Sequence, residues 1–196
     1  GGRGGRATGG GGGGGVGPEA GTRAAGAVVV GAGAWSTRVL QGLGPVPEIN
    51  PVGGQMLIVR AAPGTVRRIV LQENRYVIPR RDGRVLVGST LEEAGFDASI
   101  TGAARDELRE SALTLIPALA EAPIERHWAG LRPSSPAGVP YIGPHPEVQG
   151  LFLNSGHFRN GVVTALASAR LLADLALARE PVLDPGPYAL GADRTP

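Results

Sequence analysis

The sequence predicts a mixed α/β fold, and three observations carry that reading. Val28-Val-Val30 followed by Gly31-Ala-Gly33 reads as a buried strand that turns sharply toward a short helix near residues 36–43. Residues 55–60, 68–71, 75–79 and 84–88 are short, rich in Val, Ile and Leu, and alternate, as antiparallel strands with one wet face do. Residues 101–115 and 162–179 carry apolar side chains at helical spacing.

Taken in order, residues 1–25 are low complexity. They hold thirteen of the 33 glycines and almost no bulky apolar side chain. Such a segment buries too little surface to offset the entropy of ordering it, so disorder is expected. Residues 26–36 then form the strand and the Gly-x-Gly turn. Ser36 stands where a dinucleotide-binding fingerprint has its third glycine, and Gly42, Gly44, Pro45 and Pro47 break the helix early. Within the strands at 55–88, Asp82-Gly83 is a hairpin turn that needs positive φ. Tyr76 opens one strand, where it either packs on the sheet with a wet hydroxyl or faces a ligand. Thr101 is the expected cap of the next helix, and Ile116-Pro117 ends it. Residues 124–133 read as a strand entering Pro-rich turns, with Arg132 at its end placed to meet a carboxylate in bidentate fashion or to sit in a surface ion pair.

Near the end, residues 150–154 read as a buried strand, and 162–179 as a helix. Ser155-Gly-His-Phe-Arg-Asn-Gly161 joins them. A helix N-terminus offers amide donors and positive partial charge to a ligand's negative end. Gly156 and Gly161 allow close approach, and Arg159 adds a planar cation. The alternative is an ordinary strand-to-helix turn with a solvated Arg159 and a capping Asn160.

Composition narrows the chemistry. There is no cysteine, which excludes disulfides and thiolate catalysis. His127, His145 and His157 lack ligand spacing, so no metal site is expected. All nineteen basic residues are Arg, a coding bias rather than a recognition signal, and beyond residue 25 the charges balance. Nucleic-acid binding is therefore not expected. No apolar run is long enough to span a membrane, and the head lacks a signal-peptide core.

Several pieces, in this order, resemble the FAD-dependent amino-acid oxidases, and most of all the glycine oxidases of thiamine biosynthesis. They are Val28-Val-Val-Gly-Ala-Gly-Ala-Trp-Ser36, Pro51-Val-Gly-Gly-Gln-Met56, Tyr76-Val-Ile-Pro-Arg80, Gly83-Arg-Val-Leu-Val-Gly-Ser-Thr90, Trp128-Ala-Gly-Leu-Arg-Pro133 and Gly156-His-Phe-Arg-Asn-Gly161. The resemblance covers about residues 26–180 and implies part of a Rossmann-like FAD domain intertwined with an antiparallel-sheet substrate domain. It implies flavin-domain sequence at 26–45, substrate domain at 46–128, return to the flavin at 129–180, and a tail at 181–196. Gly33, Gly156, His157, Phe158, Arg159, Asn160, Gly161, Val162 and Val163 would lie at the cofactor. Arg132 would bind the substrate carboxylate, with Tyr76 and Arg159 completing the pocket. The implied reaction is hydride transfer from a small amino acid or amine to FAD, hydrolysis of the imine, and reoxidation by O2 to H2O2. A dehydrogenase or sarcosine-type oxidase shares this frame. A cytoplasmic protein is expected, with homo-oligomer formation left open.

Two departures bear on this. The family's opening strand with Gly-x-Gly-x-x-Gly is not found, the Gly-rich head standing in its place, and Gly53 occupies the position of a usual Lys. The first departure raises an alternative: a truncated, flavin-free, catalytically inactive fragment or partner-binding module.

Overall fold

The computed structural model describes residues 23–194 together with the pairs Ala7–Thr8 and Gly15–Val16. Those pairs and Arg23–Ala24 align as three antiparallel two-residue strands. The rest of the head expected to be disordered lies outside the described residues. From there the strands are β1 (Val28–Val30), β2 (Asn50–Arg60), β3 (Val70–Gln72), β4 (Arg75–Pro79), β5 (Arg84–Gly88), β6 (Ile124–Ser134), β7 (Tyr141–Pro144) and β8 (Leu151–Ser155). The α-helices are α1 (Ser36–Leu40), α2 (Gly102–Leu115) and α3 (Gly161–Ala176). The chain divides into two units, one of residues 1–51 and 132–196, the other of residues 52–131.

The first unit holds a sheet of order β7-β8-β1. β7 and β8 are antiparallel, whereas β8 and β1 are parallel, with Leu151, Phe152 and Leu153 opposite Val28, Val29 and Val30. β-branched valines suit this pleated surface. Val30, Leu40, Ile49, Tyr141, Leu151 and Leu153 form one buried cluster, and Ile142, Leu171 and Leu172 a second where α3 meets the sheet.

α3 departs from the periodicity argument. The apolar stripe at 162, 163, 166 and 169 is exposed, while Ser168, Leu171, Leu172 and Asp174 are buried. The helix is apolar on both sides, which is the pattern of a helix covered on both sides. Asp174 is fully buried and receives Arg170 Nε at 2.8 Å, which matches its charge at i, i+4 spacing.

The second unit is built on an antiparallel sheet of order β3-β4-β5-β2-β6. Leu57, Val59, Val77, Val85 and Val87 point from one face onto Leu108 and Ala112 of α2, and Leu119 and Ala122 close the core. Thr101 caps α2, its hydroxyl accepting from Ala104 N at 3.2 Å. Buried Gln55 of β2 links that cap to Glu92. Its Nε2 donates to Glu92 Oε1 at 3.0 Å, and its Oε1 accepts from Thr101 N at 3.0 Å. Gly83 takes φ 82° in the hairpin turn, as its sequence required. The other sheet face is less polar than alternation suggested, since Met56, Ile58, Tyr76, Ile78 and Leu86 are half-buried there.

Candidate functional site

Two glycine-bounded turns meet at the carboxyl ends of the parallel strands β1 and β8. Val30 and Leu153 are register partners, so residues 31–33 and 156–161 leave the same edge of the sheet. In parallel α/β sheets that edge gathers loop backbone and helix starts, and ligands bind there. Buried hydroxyls tie the two turns together. Ser36 Oγ lies 2.7 Å from Ser155 Oγ and 2.9 Å from Gly33 O, and Ser155 Oγ lies 3.1 Å from the same carbonyl. Two hydroxyl protons serve this triangle, one donated to Gly33 O and the other closing the hydroxyl pair. Gly33 itself takes φ 54°, a conformation open to glycine at little cost.

The second turn is held in an unusual backbone. Gly156 has φ 86°, and a Cβ placed on it would fall 3.1 Å from Ser135 Cβ and 3.4 Å from Tyr141 Cδ2. Its carbonyl accepts from Ser135 Oγ at 2.8 Å. Phe158 has φ 47°, which for a side chain of this size costs on the order of 1–2 kcal/mol. Its amide donates to Pro133 O at 2.8 Å, anchoring the turn to the end of β6. Strain of this kind persists only where surroundings over-determine it, and it gathers at ligand clamps.

α3 then begins without side-chain help. Asn160 makes no cap with its side chain, contrary to the ordinary-turn alternative; its carbonyl accepts from Thr164 N at 3.0 Å. The amides of Gly161, Val162 and Val163 are therefore the leading donors of a four-turn helix, at its positive end. The side chains of Val162 and Val163 are 94% and 88% exposed. His157 is half-buried, its Nε2 2.9 Å from Ser168 Oγ. Burial lowers its pKa below the ordinary imidazole value.

The structure thus places Gly33 beside residues 156–163 in one unit. Arg132 belongs to the same unit, half-buried, one residue before the Pro133 carbonyl that holds the turn. Arg159 is exposed on the turn itself. Tyr76 lies in the second unit, half-buried, its hydroxyl 3.7 Å from Met56 Sδ. Its ring fills the space above Gly88 directly across the ladder, where a Cβ would come within 2.5 Å of it. The hydroxyl is thus turned to a neighbouring sulfur, a partner the wet-hydroxyl expectation lacked.

Ser36, Ser135, Ser155 and Ser168 escaped sequence reasoning. Two of them, Ser36 and Ser155, sit next to or within a few residues of the two turns, but only folding shows which partners the four hydroxyls meet. His145 is buried and structural, Nε2 reaching Pro45 O at 2.9 Å while Nδ1 accepts from Glu147 N and Val148 N. Among the described residues, no group of three or more His, Asp and Glu is placed to hold a metal ion.

Comparison with known proteins agrees with this geometry. The FAD dependent oxidoreductase family matches residues 4–175, reaching into the glycine-rich head that the resemblance set apart. The glycine oxidase of Pseudomonas aeruginosa is 54% identical over 162 residues, which are 83% of this chain and 44% of that protein. The crystal structure of glycine oxidase from Geobacillus kaustophilus superposes with a TM-score of 0.86 at 34% identity, covering 91% of this chain and 48% of that one. The iminodiacetate oxidase of Chelativorans sp. BNC1 gives 0.87 at 27% identity, over 94% and 52% of the two chains. The chain therefore spans about half the length of the relatives it matches, and it belongs to the FAD dependent oxidoreductase family.

Proposed function

We infer that this chain forms the flavin-facing turn and substrate sheet of an oxidase acting on glycine or a similarly small amino acid or amine. The observation that carries this is the meeting of two glycine-bounded turns, the second strained at Phe158, at one sheet edge, at the start of α3. The residues present suit FAD: amide donors at a helix start would hold the polar part of a bound ring system, and two exposed valines would offer it apolar surface. Bound there, FAD supplies the hydride acceptor and returns electrons to dioxygen.

In this reading the positive end of α3, led by the amides of Gly161, Val162 and Val163, favours negative charge on the cofactor. Gly156, His157, Phe158, Arg159 and Asn160 shape the turn, and Gly33 lines it from the neighbouring strand. Arg132 takes the substrate carboxylate through its planar fork, Arg159 adds a second cation in the same unit, and Tyr76 is the substrate residue of the sheet. The glycine oxidase relatives favour glycine, and the motif resemblance adds a role in thiamine biosynthesis; iminodiacetate oxidase favours a secondary amine as second choice. Peroxide release under air separates an oxidase from a dehydrogenase. Among the described residues, no helix is long and apolar enough to cross a membrane. Cytoplasmic action without nucleic acid, as a monomer or homo-oligomer, completes the proposal.

The deciding experiment adds FAD to the purified chain, desalts it and records visible absorbance. Retained flavin bands that bleach anaerobically with glycine are expected. A second reading is favoured by one observation, the exposure of Val162, Val163 and Leu166 at 94%, 88% and 87%. Such a face suits a module that becomes active only when further family sequence covers it. A colourless chain that acquires flavin only on addition of that sequence would select this second reading. In a protein carrying the whole family domain, Arg132→Ala is expected to raise KM for glycine about 10- to 100-fold, the worth of a charge-assisted pair. An unchanged KM would remove the carboxylate role.

A further inference from the structure

We propose that Arg194, in the tail beyond the family match, is a positioning residue for the turn at residues 156–161. This rests on the reading of that turn as the flavin-facing one. The contacts run through Tyr141, which is 4% exposed. The Arg194 guanidinium lies over the Tyr141 ring, its carbon 3.8 Å from the centroid. The fork is fixed there by three carbonyls: Nη1 donates to Val139 O at 2.6 Å, and Nη2 to Ala189 O at 3.2 Å and Pro140 O at 3.4 Å. Val139 and Pro140 lead directly into β7, so the same side chain fixes the strand's entry and its first aromatic ring.

Tyr141 in turn defines where the site turn begins. It pairs with Ser155, the last residue of β8, and its hydroxyl accepts from Glu48 N at 3.3 Å. A Cβ on Gly156 would fall 3.4 Å from Tyr141 Cδ2, so the ring bounds the glycine where φ turns positive. Ser135 closes the other contact, through its hydrogen bond to Gly156 O. With the ring held by a planar cation, Gly156 has one place to sit; with the ring released, the turn gains freedom. Lys cannot reproduce this, because an ammonium presents no planar fork to three carbonyls and a ring.

Hydrogen–deuterium exchange of the flavin-free chain tests the coupling, with Arg194→Ala, Arg194→Lys and Tyr141→Phe compared with wild type. Exchange in peptides spanning 155–161 is expected to rise about tenfold in Arg194→Ala, equivalent to about 1.4 kcal/mol. The rise should be smaller in Arg194→Lys and absent in Tyr141→Phe, which keeps the ring. Protection in α3 beyond residue 168 should hold. A rise spread evenly over the first unit would mean general stabilisation and overturn the proposal, as would unchanged exchange at 155–161. Titration with FAD then reads the consequence: affinity about tenfold weaker in Arg194→Ala. Failure of wild type to bind FAD even with further family sequence added would instead sink the flavin reading, while the exchange result still decides whether Arg194 sets the turn.

Discussion

Phe158 and His157 show how single residues are shaped by what the turn must do. Phe158 adopts a backbone that a chain left to itself would give to glycine, and the bond from its amide to Pro133 O compensates. Nothing in Gly-His-Phe-Arg-Asn-Gly reveals which of its members takes positive φ beyond the first glycine. His157 is legible as a titratable group, but its partner Ser168 lies about two turns into α3 and becomes visible only in the fold. Burial keeps the imidazole neutral in the native state, so its folded pKa lies below the unfolded value of about 6.5. The native state is then at no disadvantage above pH 6.5, and stability is lost as pH falls below that value toward the folded pKa, because the unfolded chain takes the proton first. His157→Gln is expected to flatten the fall in urea midpoint between pH 7.5 and 5. Parallel curves for the two proteins would show that burial of this ring excludes no proton. His127, lowered by the same cause in the other unit, contributes equally to both curves.

At the scale of elements, periodicity and turn chemistry placed most of the secondary structure. The strands at 28–30, 75–79 and 84–88 coincide with expectation, and β2 begins five residues earlier than expected, at Asn50. Pro51 hid that start, because proline in a strand reads as a boundary. The Thr101 cap and the Asp82-Gly83 turn were legible because each depends on a local geometry that only a few residue types supply. α3 was legible as a helix but not in its orientation. Its sequence is apolar on both sides, so spacing alone cannot say that Leu171 and Leu172 face the sheet while Leu166 faces out. The two sides should respond differently to substitution. Leu172→Ala is expected to cost about 2–5 kcal/mol in urea unfolding, whereas Leu166→Gln should stay within about 0.5 kcal/mol. A large loss at Leu166 would show that something already covers that face in solution.

At the scale of the whole molecule, the first unit is discontinuous, with residues up to Pro51 joined to residues from Arg132 onward. Composition gave no sign of that return. It follows from pairing: β8 lies parallel to β1, and parallel neighbours require a long crossover, here one that contains the entire second unit. The two-domain expectation came from the topology the family resemblance carries with it; no local pattern in the sequence marks a division.

The sequence by itself determined where most strands, the hairpin turn and most helix starts fall, since these depend on φ preferences, alternation and caps acting over a few residues. It also determined that this sequence offers no cysteine chemistry. Tertiary structure alone decided that Gly33 lies beside Ser155 and that Ser135 holds Gly156. It alone decided that Arg194 closes over Tyr141, and that one apolar side of α3 is packed while the other is open. The physical reason is the same in each case. These contacts join residues tens of positions apart, or choose between two equally apolar faces, and only the packing of the finished core distinguishes the alternatives.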